Sequence, residues 1–184
     1  MRIQVNDNDN DSDPQAIPDN NVIDEEGYYD EINKDVEIDT AGAEDGFFIR
    51  VDGVDRADIT VSGGNILHMK VYNKFNMGGN DKIILNDDSR LIVYIKDGSD
   101  VTISGNAIFH DYMYAPDSKI EWNGGGTGGN IYGGVVGKEF KGASSANVKI
   151  IHDPDLLKEG AFIEESIEEL EKKSTGLARG AWLD

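Results

Sequence analysis

Cysteine is absent from the 184 residues, which removes disulfides, thiol nucleophiles and thiolate metal sites together. An extracellular home is compatible with that, since disulfides are common there without being required. Basic residues are scarce: 17 Lys and Arg stand against 36 Asp and Glu, for a formal net charge of -19. Such a field repels phosphate backbones, and the cations are scattered, with Lys172 and Lys173 the densest pair. Nucleic acid is therefore not an expected partner. The same charge suits solubility, cation binding or a calcium-containing exterior, without choosing among them. No apolar run approaches the length of a membrane span or a signal segment. If the protein is exported or anchored, the responsible segment is outside this sequence. On that assumption the expected location is extracellular or cell surface, with a cytoplasmic one left open.

Proline is rare, at 4 residues, and glycine abundant, at 22. Without a collagen period this reads as many turns. Residues 1–45 form an acidic N-terminal extension, expected to be partly disordered or packed on the domain that follows. Within it Asp7, Asp9, Asp11 and Asp13 occupy alternate positions, the spacing by which a turned loop converges oxygens on calcium. Counted from Asp9, the aspartates take positions 1, 3 and 5, but position 6 is Pro14 and position 12 is Asn20. The motif wants glycine and a bidentate Glu there. Asp9, Asp11 and Asp13 are thus candidates for a weak calcium site only, and calcium is the one ion the sequence suggests.

From Gly46 the texture becomes short β-rich pieces such as FFIRVDG, ILHMKVYN and RLIVYIKDG, punctuated by Gly, Asn and Asp. The spacing is informative. Val101–Ile103 and Lys119–Glu121 lie 18 residues apart, and Lys82–Ile84 precedes the first by 19. In parallel, Val93–Ile95, Asp111–Met113 and Tyr132–Gly134 advance by 18 and 21. Two strand types repeating together at about 20 residues fit one coil of a β-solenoid, with a β-sandwich as the rival. The expected fold is all-β: a right-handed single-stranded parallel β-helix over residues 46–153. Beyond it, DPDLLKEGAFIEESIEELEKK carries an apolar stripe at helical spacing, so residues 154–184 are expected to form a C-terminal capping helix and tail.

The eight glycines between Tyr114 and Phe140 invite a phosphate-loop reading, yet Gly137-Lys138 is followed by Glu139 and Phe140. A phosphate loop needs a hydroxyl and a helix at that point. Corner glycines are the expectation. The histidines are His68, His110 and His152, two of them beside aspartates. Neighbours in a strand point to opposite faces, which argues against a preformed catalytic pair, and no catalytic residue is assigned. Asp97, Asp100, Asp111 and Asp117 would make an acidic row if successive rungs aligned them. Tyr112, Tyr114, Trp122 and Tyr132 would likewise make an aromatic strip. Asp97, Asp100, Asp111, Tyr112 and Tyr114 are the candidate ligand-binding residues.

The stretch from Ser104 to Leu157 resembles a C-terminal β-helical module of minor-pilin-like surface proteins of type IV pilus systems. The matching residues are Gly105, Asn106, Ala107 and Phe109, then Tyr114, Ala115 and Pro116. After them come Gly128, Tyr132, Gly133, Val136, Gly137 and Lys138, closing on Asn147, His152 and Asp153. The resemblance covers about residues 100–157. It implies a surface display or adhesion role without an assigned active site, and envelope or pilus proteins or a surface polysaccharide as partners. The chain departs from the family in having an acidic leader where a hydrophobic N-terminal helix is expected. The expected function is a non-enzymatic structural or adhesive module. The alternatives are a β-helix that binds or cleaves acidic polysaccharide, and a protein–protein docking module.

Overall fold

A computed structural model describes residues 13–96, 98–123, 130–142 and 149–151. The chain forms β1 (Val22–Ile23), β2 (Gly27–Tyr29), β3 (Val36–Asp39), β4 (Phe47–Asp55), β5 (Ile59–Ser62) and β6 (Ile66–Met77). There follow β7 (Ile83–Leu85), β8 (Arg90–Ile95), β9 (Asp100–Ser104), β10 (Ile108–Asn123), β11 (Asn130–Gly142) and β12 (Lys149–Ile151). Every named pair is parallel. One sheet runs β1-β3-β5-β7. The other runs β12-β11-β10-β8-β6-β4-β2, with β9 pairing β10 and β6. The fold is a right-handed parallel β-solenoid of about five turns.

Alternation in sequence becomes inside and outside in space. In β6, Leu67, Met69 and Val71 are buried while His68, Lys70 and Tyr72 between them are partly exposed. Parallel pairing then stacks like on like. Ile49, Met69, Val93, Met113 and Val135 form one inner column. Ile32, Val54, Phe75, Val101, Ile120 and Phe140 form another. Each fully buried side chain contributes roughly 1.5–3 kcal/mol, and its neighbours above and below exclude the water. Phe140 is the last of its column among the described residues and is 52% exposed.

Two features differ from the sequence expectation. Parallel pairing begins before Gly46: β1 pairs β3 and β2 pairs β4. The first rung therefore comes from residues that composition places in the acidic extension. The register also differs. Lys82 bridges Ile108 and β7 pairs β5, so Lys82–Ile84 does not stack under β9. Val93 pairs Met113 and Met113 pairs Val135, a slip of two residues at the first step and one at the second. A two-residue slip keeps every side chain on its own face, so alternation cannot detect it. The capping helix expected over 154–184 lies outside the described residues.

One corner is unusual. Asp111 has φ +82 and pairs with Gly133, at φ +138. A Cβ on Gly133 would run into the Asp111 backbone. Glycine is required there because the upper rung lies directly on the lower one.

Candidate functional site: a tyrosine-lined outer face

The long strands of the larger sheet turn two columns outward. Tyr28, Arg50, Lys70, Tyr94, Tyr114 and Val136 align in one. Phe48, His68, Ile92, Tyr112 and Gly134 align in the other. Together with Tyr72 on β6 and Tyr132 on β11, this sheet displays six of the seven tyrosines; the seventh, Tyr29, is buried. Phe48 is 51% exposed and Val136 50%.

Stacking one strand on the next brings these rings together. Phe48 lies on His68 with centroids 4.4 Å apart and planes 6° from parallel. His68 faces Tyr94 at 6.0 Å, and the Tyr94 hydroxyl is 3.3 Å from His68 Nδ1. Burial disfavours the imidazolium and lowers the His68 pKa to about 4, so the ring is neutral and suited to accept from the hydroxyl. Burial likewise pushes the Tyr94 phenol up to about 12. At the far end His110 stacks on Tyr132 at 4.8 Å.

Cations gather beside this ladder. The Arg50 guanidinium carbon is 5.3 Å from the Tyr28 ring centroid, and the Lys70 and Lys96 ammoniums are 5.0 and 4.8 Å from that of Tyr72. Tyr28 and Tyr72 are themselves 5.4 Å apart. Contacts of this kind are each worth about 0.5–1 kcal/mol at exposed sites. Asp52 accepts from the Tyr28 hydroxyl at 3.3 Å and from Asn73 at 2.6 Å. None of the residues named in the two columns is a carboxylate, but Glu26 accepts from the Phe48 amide at 2.9 Å at the foot of the second, and Asp52 stands beside the first. The other outward surface of the same sheet is different: Asp55, Asp100, Glu121 and Glu139 alternate there with Lys74, Lys119 and Lys141.

The candidate residues from the sequence fall in several places. Asp9, Asp11 and Asp97 lie outside the described residues, as does His152, while Asp13 is exposed ahead of the first strand. Tyr112 and Tyr114 do stand side by side on the outer face of β10. Among the described residues the acidic row is broken at Asp111. Asp100 opens β9 on the neighbouring surface, whereas Asp111 turns inward and is 2% exposed. Its carboxylate accepts from Arg90 Nε at 2.8 Å, Arg90 Nη2 at 3.0 Å and the Leu91 amide at 2.7 Å. Asp111 occupies an inner corner, and its role is to hold that corner. His110, its neighbour, points outward, as alternation requires. Trp122 is also inside, 5% exposed, in the column of Met77 and Ile103. The aromatic strip therefore keeps Tyr112, Tyr114 and Tyr132, loses Trp122, and gains Tyr28, Phe48, His68, Tyr72 and Tyr94. Equal parity within each strand was the available signal for those five, but it needed the correct register.

Among the described residues, no group of three or more His, Asp or Glu is arranged to hold a metal ion, and no helix is long and apolar enough to cross a membrane. Comparison with curated proteins and with solved structures returns no match. A family profile covers residues 2–159, and on that match the chain belongs to the family described as Domain of unknown function (DUF7305).

Proposed function

We propose that this protein is a non-enzymatic structural or adhesive surface module that presents a rigid β-solenoid face to a partner. The observation that carries the reading is the concentration of six of seven tyrosines on the outside of one sheet above a closed apolar interior. Each tyrosine is fixed by strand pairing, and Tyr28, Tyr72, Tyr94 and Tyr132 also by ring contacts, so little of their side-chain freedom remains to be lost on contact. Tyrosine and arginine are the residues that most often dominate recognition surfaces. The proposed setting is a cell envelope, in a pilus-related assembly. That part rests on the ordered resemblance from Gly105 to Asp153 and not on the face itself.

The test passes envelope fractions, polysaccharide and protein separately, over the immobilised full chain. Retention and release of new reducing ends are both followed. Retention without product is the expected result. Turnover would move the protein to the carbohydrate-active enzymes, and no retention from any fraction would overturn the module.

A further inference from the structure

Two phenol rings meet at the N-terminal end of the tyrosine face. Tyr28 on β2 and Tyr72 on β6 come from strands that are not neighbours, since β4 lies between them. Their side chains nevertheless touch across it, with ring centroids 5.4 Å apart and planes 43° from parallel. Both residues are partly exposed. The approach still needed to bond one ring to the other is within the ordinary motion of such side chains. Other tyrosines of the face are held against imidazoles instead: Tyr94 stacks on His68, and Tyr132 on His110.

The surroundings suit removal of a hydrogen atom from this pair. Burial, with Asp52 adding to it, holds the Tyr28 phenol above its usual pKa, so at neutral pH it keeps its proton. Arg50 stands over the Tyr28 ring, and Lys70 and Lys96 over that of Tyr72. These cations oppose a positively charged ring, so an electron leaves only if the proton leaves with it. Asp52, which accepts from the Tyr28 hydroxyl at 3.3 Å, is placed to take that proton. The position also matters to the fold. β2 is three residues long and stands at the end of the larger sheet, and a chain without cysteine has no disulfide to fasten it.

We propose that Tyr28 and Tyr72 are the site of an oxidative cross-link, a dityrosine, formed by a peroxidase with hydrogen peroxide. Each phenol gives up one electron and one proton, and the two radicals couple through ring carbons ortho to the hydroxyls. The coupled carbons then return their protons to the oxygens, which restores both phenols. Two hydrogens are lost in all, and hydrogen peroxide takes them up to become two waters. The bond closes the chain between residues 28 and 72 and ties β2 to a strand two places further in. This proposal stands apart from the adhesive reading.

The experiment treats the dilute full chain with a haem peroxidase and hydrogen peroxide, alongside free tyrosine as a control for coupling. Dityrosine fluorescence and peptide mapping by mass spectrometry read the product and its site. The expected product is a monomer lighter by two hydrogens, with the Tyr28 peptide joined to the Tyr72 peptide. Its Tm should rise by about 5 °C or more, as for a covalent closure of a long loop. Y28F and Y72F should each lose this product, and Y94F/Y114F should keep it, with circular dichroism checking that all three remain folded. Cross-links that join other tyrosines or only separate chains would overturn the site. So would no cross-link where free tyrosine is coupled. A Tyr28–Tyr72 bond without a rise in Tm would overturn its role as a fastening of the first rung.

Discussion

Replacing Asp111 is the perturbation that tests the corner geometry most sharply. Its side chain is 1% exposed and accepts three hydrogen bonds, two of them from the Arg90 guanidinium. Removing one member of a buried charged pair costs about 3–5 kcal/mol, and the Leu91 amide would lose its acceptor as well. D111A should therefore cost about 4 kcal/mol. The backbone adds a second, separable effect, because Asp111 sits at φ +82. Glycine adopts that conformation freely and alanine does not, so D111G should recover about 1 kcal/mol relative to D111A. Asparagine tolerates positive φ and keeps an acceptor for Leu91. D111N should then be the mildest, at about 1–2 kcal/mol. Urea unfolding followed by circular dichroism and tryptophan fluorescence gives the order; coincident curves would justify reading the midpoints as global stability. A D111A within about 1 kcal/mol of the parent, or a D111G no better than D111A, would refute the account of this corner.

Burial lowers the His68 pKa from 6.5 to about 4, so below pH 6.5 the unfolded chain takes up a proton that the folded one refuses. This contribution to stability is complete above pH 6.5 and is lost as pH falls towards 4, by roughly 3 kcal/mol. Thermal melts from pH 7 to pH 4 should show the decline, and H68F, still able to stack between Phe48 and Tyr94, should flatten it; an unchanged slope would contradict the assignment. Phe75 and Phe140 share an inner column but are 0% and 52% exposed. F75A should cost about 3–5 kcal/mol and F140A much less, as urea midpoints would show; equal costs would mean that the last rung is covered as fully as the middle ones.

The β-solenoid was legible because strand alternation and a coupled spacing of about 20 residues survive variable turns. The observed outward column advances by 22, 20, 24, 20 and 22 residues. Rungs of unequal length blur any single period, so spacing sets Val93 against Asp111 when it pairs with Met113. That slip leaves each side chain on its own face but changes which rings stack. Tyr94 lies over Tyr114 only in the true register, and Tyr28 joins them only once residues before Gly46 are recognised as the first rung. Asp111 was misleading for another reason. A charged residue flanked by His110 and Tyr112 looks solvent-facing by type, yet alternation puts it inside. What compensates it there is Arg90, 21 residues earlier, which no local pattern reveals. Composition also masked the contrast between surfaces: aspartate is frequent along the whole chain, and only stacking shows two columns without any.

The central claim is that the tyrosine-bearing sheet is the surface that meets a partner. Hydroxyl-radical footprinting, with the full chain alone and with the envelope fraction that retains it, reads this residue by residue. The account predicts protection at Tyr28, Tyr72, Tyr94 and Tyr114, with Tyr29 unreactive in both states. Protection confined to Phe140 and Ile150 at the last rung, with those tyrosines unchanged, would contradict it and make the solenoid's end the docking surface.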